Sequence, residues 1–91
     1  MRLDIFLKLS RLIHRRSLAR EFCDADKVLV NGTAAKASKT VAAGDEITII
    51  KPNVIESFRI LEIPKTKQVS KTGAAELFEL IGREERDSLG L

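Results

Sequence analysis

Apolar residues in the first thirteen positions recur with a helical period. Leu3, Phe6, Leu7 and Ile13 share one side of a helix, and Ile5, Leu9 and Leu12 broaden it. The pattern predicts a buried helix over residues 3–13. At about 100° per residue, Asp4, Lys8, Arg11 and Arg15 then fall in one polar arc opposite the apolar side. Ser10 puts a small residue where a second helix can approach. Ser17 is placed to cap a short second helix with Leu18, Ala19 and Phe22 inward, which leaves Arg15 and Arg16 in the connection.

Beyond residue 26 the period shortens. Lys27-Val28-Leu29-Val30 reads as a strand, and Asn31-Gly32 as a type I′ hairpin turn, because both residues tolerate positive φ. After Val41 and a turn at Gly44-Asp45, residues 46–50 form another strand, stopped by Pro52-Asn53. Residues 55–63 read as a longer strand with apolar side chains on both faces, Phe58 and Ile60 against Leu61 and Ile63. Either a bulge or burial on both sides accounts for that. Pro64 ends it, and 65–72 is a basic connection. Ala74, Leu77, Phe78 and Ile81 match a helical template with Glu76 and Glu79 facing water, so a third helix is predicted there, followed by a flexible tail over 83–91.

Composition narrows the class. With 91 residues and 44% hydrophobic content the chain is expected to be one small domain, too short for a second lobe or a large internal cavity. No window approaches the roughly 20 apolar residues that span a bilayer, and Met1-Arg2-Leu3-Asp4 carries an acid where a secretory signal has none. The single Cys23 has no cysteine partner, as befits a reducing compartment. A cytoplasmic protein without membrane contact is expected. Charge is unevenly spread. Residues 1–40 hold nine Lys or Arg against four Asp or Glu, and residues 41–91 hold seven against nine. A polarised chain of this kind meets a polyanion with one face, although a solvated basic helix has the same composition.

The parts for catalysis are missing. His14, the one histidine, sits among arginines at a helix end and reads as a surface residue. Cys23 reads as a small core or boundary residue, and Asp45 as a turn former. The five glycines form neither a phosphate loop nor a dinucleotide fingerprint, and no metal-ligand spacing occurs. Neither enzymatic activity nor a catalytic residue, metal or cofactor is expected. What remains is a basic constellation of Arg2, Lys8, Arg11, Arg15 and Arg16, with Lys36 and Lys39 beyond the hairpin. Arginine's planar fork of donors suits phosphate oxygens, and lysine adds point charges. The four Phe residues all fall at core positions and Trp and Tyr are absent, so no stacking platform for unpaired bases is expected. Structured RNA, read by shape and phosphate position, fits better, and Lys65, Lys67 and Lys71 are possible further contacts. A basic module that docks on an acidic protein is the alternative of a different class.

Arg2-Leu3-Asp4 with Leu7, Ser10-Arg11, Arg15-Arg16-Ser17 with Ala19, Val28 to Gly32, and Val41 with Gly44-Asp45-Glu46-Ile47 together resemble the S4-type RNA-binding domain, or alpha-L motif. The resemblance implies an α+β fold: two N-terminal helices packed on a small, mostly antiparallel sheet, with a C-terminal helix. Residues 1–50 would form the RNA-binding part and 51–82 would complete the same domain. Phe58 to Pro64, Lys65-Thr66-Lys67 and Ala74 to Glu79, with the opening Met1 to Ala19, resemble the stand-alone RqcP (YabO) type, whose relatives include ribosome-associated heat-shock proteins. This implies binding to large-subunit rRNA and tRNA on stalled large ribosomal subunits; a monomer is expected because nothing in the sequence demands a dimer. It also implies work alongside an RqcH (NEMF-like) protein that adds an alanine tail. A heat-shock-type recycling factor is the alternative within the family. By the same resemblance Arg2 and Arg16 contact RNA, supported by Lys8, Arg11, Arg15 and Lys39. Asp4 either holds the basic side chains in position or is simply the i, i+4 partner of Lys8.

Overall fold

The computed structural model describes residues 1–86. Two helices, α1 (Leu3–Leu9) and α2 (Arg16–Asp24), precede the strands β1 (Val28–Val30), β2 (Thr33–Ala34), β3 (Glu46–Ile50) and β4 (Val54–Ile60). A one-turn helix, α3 (Lys71–Ala75), and a last strand, β5 (Phe78–Glu85), follow. The strands form one sheet in the order β2-β1-β3-β4-β5, antiparallel throughout. The expected α+β fold is thus present, with two N-terminal helices on an antiparallel sheet; the helix expected at the C-terminal end is only the one-turn α3, and β5 follows it.

Alternation decides which face the helices cover. Val28 and Val30, Ile47 and Ile49, and Phe58 and Ile60 are buried, while Leu29, Thr48 and Arg59 between them are not. The buried side meets Leu3, Phe6 and Leu7 of α1 and Ala19 and Cys23 of α2 in one cluster. Each fully buried Leu, Ile or Phe there contributes about 1.5–3 kcal/mol. The hairpin between β1 and β2 has the predicted geometry, with φ of 51° at Asn31 and 86° at Gly32. The Asn31 side chain also locks the next turn: its Oδ1 accepts from Glu46 N–H at 3.0 Å and its Nδ2 donates to Asp45 at 3.2 Å.

Several predicted elements are corrected. The first helix stops at Leu9 instead of residue 13 because Arg11 turns left-handed, with φ 63°. Ser10, buried, donates its hydroxyl to Leu7 O, and Ile13 N–H folds back to the same carbonyl, which returns Ile13 to the core. α2 starts at Arg16, so Ser17 is not its cap. Ala19 and Cys23 are its buried residues, Phe22 is half-buried, and Leu18 faces solvent. β4 ends at Ile60, which leaves Leu61 exposed, and the bulge lies opposite Ser57 and Phe58: these pair with Gly82 and Leu80, and Ile81 of β5 is the extra residue.

The largest correction is at the C-terminal end. The predicted third helix is real only as α3, capped by Ser70, whose Oγ accepts from Gly73 N–H at 3.0 Å. Phe78 onward is strand. The otherwise open edge of β4 takes it as a partner, and Phe78 sets its ring edge-on against Phe58 at 5.4 Å. Residues 83–85 of the expected tail therefore belong to β5, and 87–91 lie outside the described residues. Among the described residues no helix is long and apolar enough to cross a membrane.

Candidate nucleic-acid interface

The N-terminus of α1 is stitched to the loop after β2. Leu3 and Asp4 would have unpaired N–H groups at the helix start; they donate to Lys39 O at 2.7 Å and Ala37 O at 3.1 Å. Arg2 bridges to Thr40, and Val41 N–H reaches Met1 O at 2.9 Å. Arg2, Lys36 and Lys39, far apart in sequence, thereby become neighbours in the fold.

Asp4 sits just inside this seam under α2, with its side chain fully buried. A carboxylate so placed needs charged partners, and it has three. Oδ1 accepts from Arg2 Nε at 3.2 Å and from Ile5 N–H at 2.9 Å. Oδ2 accepts from Arg16 Nε and Arg20 Nε, both at 3.1 Å, and from Arg2 Nη2 at 3.4 Å. Arg16 and Arg20 are one turn apart on α2, so both reach the same oxygen. Burial pushes the Asp4 carboxyl pKa up, but the hydrogen bonds from Arg16 and Arg20, the charge of Arg16 and the bond from Arg2 outweigh it and leave it below its ordinary value.

The geometry of these contacts matters more than their number. Arg16 and Arg20 use only the Nε edge on Asp4, and their side chains remain 41% and 50% exposed. The Nη donors of Arg16 and Arg20 are not used on Asp4, and Arg2 is held beside them with 43% exposure. Two guanidinium groups with both Nη nitrogens unused on Asp4, and a third, Arg2, that engages Asp4 through Nε and Nη2, surround one buried anion and form a cationic surface suited to the oxygens of a polyanion.

The remaining predicted residues fall into distinct places. Lys8 and Arg11 line a cleft with His14 and Lys67 at the other end of α1. Lys36 and Lys39 line a groove beside β2, and Lys36 shares a further hollow with Arg2. Arg15 is exposed at the N-cap of α2. The predicted common arc of Asp4, Lys8, Arg11 and Arg15 does not exist, because α1 ends before Arg11 and Asp4 points into the protein. Asp4 is a holder of arginines and not the partner of Lys8, which is in none of the ion pairs among the described residues. Arg20 was not singled out from the sequence; its i, i+4 spacing from Arg16 is the signal that marks it. None of the four Phe residues is exposed. Cys23 is buried, and burial, followed by the charges of Asp4 and Asp24, pushes its thiol pKa up to about 11, far from that of a nucleophile.

The helices and strands that carry this surface match known proteins. Residues 1–47 match the family model of the S4 domain. The RQC P-site tRNA stabilizing factor of Halalkalibacterium halodurans is 44% identical over 80 residues, which is 88% of this chain and 89% of that protein. The Bacillus subtilis protein of the same name is 40% identical over 84 residues, 92% of this chain and 95% of that one. Among solved structures, Heat Shock Protein 15 of Vibrio cholerae, described as trimeric, superposes with a TM-score of 0.80 at 32% identity, covering 89% of this chain and 81% of that one. With the arginine-bearing helices inside the family match and relatives aligned over nearly their whole length, the chain belongs to the S4 domain family, together with the RQC P-site tRNA stabilizing factors that it resembles.

Proposed function

We propose that this protein binds structured RNA on the large ribosomal subunit and steadies P-site tRNA during ribosome-associated quality control. The observation that carries the reading is the buried Asp4 with Arg2, Arg16 and Arg20 around it, a preset array of phosphate-binding forks. The names of the relatives supply the biological setting. Lys36, Lys39 and Arg15 extend the array along the same RNA, and Lys8 and Arg11 add contacts at the far end of α1.

The action is non-covalent and cytoplasmic. A single copy bridges an rRNA helix and the tRNA backbone, and it favours one tRNA position because it binds that state more tightly; equal affinity for two states shifts nothing. No bond is made or broken, so the protein is not an enzyme in this reading. It works alongside an RqcH-like protein that appends the alanine tail, by holding the tRNA between additions.

Sedimentation with large subunits, empty or loaded with peptidyl-tRNA, across a salt series tests this. Preference for loaded subunits, with affinity falling log-linearly in salt, is the expected result. The likeness to Heat Shock Protein 15 favours a second reading, a recycling factor that acts without an RqcH-like partner. That reading requires equal binding to empty and loaded subunits. Absence of binding to either overturns both.

A further inference from the structure

A second group of cations lies at the opposite end of α1 from Asp4. The connection after β4 folds back so that Lys67 shares a cleft of about 490 Å³ with Lys8, Arg11 and His14. All four side chains are exposed and no Asp or Glu lines the cleft. Among the described residues, Lys8, Arg11 and Lys67 take part in no ion pair. The fold thus gathers three cationic side chains around one hollow with no Asp or Glu in its lining, an arrangement that opposes folding and favours an anionic ligand.

The backbone at Arg11 is an independent observation. Arg11 occupies the first position beyond the α1 cap, Ser10, with φ 63°, and its N–H donates to Lys8 O at 3.0 Å. Helices that end this way favour glycine at that position, because a Cβ in the left-handed region costs about 1–2 kcal/mol. The other left-handed residues are Asp26, Asn31, Gly32 and Gly44, all types that adopt it readily. Arg11 alone combines the strained conformation with a long charged side chain, and that side chain lines the cleft. Glycine would end the helix at least as well; what arginine adds is a guanidinium in the hollow.

We infer that this cleft is a second phosphate-binding site, which takes a backbone phosphate of the RNA that the Asp4-centred arginines contact. α1 has seven residues, so the two sites lie about 10 Å apart along it. Half of the second site comes from the α1 end and half from the connection over 65–70, a segment outside the match to the S4 domain model. Gripping RNA at both ends of α1 fixes its direction on the protein as well as its position. The inference rests on the RNA-binding reading above.

The test compares wild type, Arg11→Gly, Lys67→Gln and Arg16→Ala for binding to purified large subunits across a salt series, with thermal unfolding of each. Arg11→Gly is expected to unfold at the same temperature or higher, yet to bind about fivefold more weakly near 0.15 M salt. Its slope of log affinity against log salt should be shallower by about one. Lys67→Gln, in an irregular segment, should show the same loss with unchanged unfolding. The inference is overturned if Arg11→Gly and Lys67→Gln bind as wild type with an unchanged slope while Arg16→Ala binds more weakly. Absence of binding by wild type removes the RNA reading itself, and the second site with it.

Discussion

Arg16 and Asp4, twelve residues apart, meet through Nε and Oδ2 at 3.1 Å, so that a fully buried carboxylate fixes the angle of a side chain left 41% exposed. The contact ties the start of α1 to the start of α2. It also separates two roles that sequence alone merges: Asp4 holds, and the outer edge of the guanidinium is free to bind.

Arg16→Ala and Arg20→Ala each leave Asp4 with two arginines. Because those two arginines and the Ile5 N–H still hold the buried carboxylate, the stability loss should stay below the roughly 3–5 kcal/mol of a buried charge left without its partner. Affinity for large subunits should fall about fivefold near 0.15 M salt, with a salt slope shallower by about one. Thermal unfolding and sedimentation measured on the same samples check this, and a large drop in unfolding temperature would make the arginine structural.

The core makes a contrasting prediction. Phe6 is fully buried, so Phe6→Ala should cost about 3–5 kcal/mol. Phe22 is half-buried at the edge of the cluster and should cost clearly less when cut to Ala. Urea unfolding of the two variants ranks them, and the reverse order would mean that α2 is rotated about its axis.

Acid should weaken the fold through Asp4. Its carboxyl is more acidic in the folded than in the unfolded chain, so the unfolded chain binds the extra proton first. The stabilisation is fully present above the ordinary value of 3.8 and is lost as pH falls below it, through the lower folded value. The stability difference between wild type and Asp4→Asn, followed by urea unfolding from pH 7 downward, should therefore shrink only below about pH 4.

Cys23 runs the opposite way. Its thiol ionises near 9.0 when free and near 11 in the fold, so its contribution is present below pH 9 and lost as pH rises toward 11. At pH 8 an aromatic disulfide reagent should label the native protein far more slowly than the urea-unfolded chain. Equal rates would place the thiol at the surface.

How much of this was legible in the sequence depended on whether the deciding contact was local. Asn31-Gly32 announced its hairpin because the turn chemistry resides in those two residues. The end of α1 was hidden because Arg11, not glycine, takes the left-handed turn. Ala74, Leu77, Phe78 and Ile81 fit a helix by spacing, and only pairing with β4, twenty residues earlier, makes Phe78 and Leu80 part of a strand. The exposed arc expected for Asp4 needs a helix that runs on to residue 13, whereas α1 ends at Leu9. The true partners of Asp4 lie on α2, where the Arg16 and Arg20 spacing was the one local trace of the site.

The most direct test of the central claim is the affinity of Asp4→Asn for large subunits at fixed salt, beside Arg16→Lys, with the fold of each checked by circular dichroism. Asp4→Asn keeps every arginine and raises the formal charge by one above +3. If charge alone drives binding, affinity rises. If Asp4 sets the angle of the forks, affinity falls despite the added charge, and Arg16→Lys, which keeps the charge but loses the fork, falls as well. The account predicts that both variants bind more weakly than wild type; binding as tight or tighter in both would contradict it.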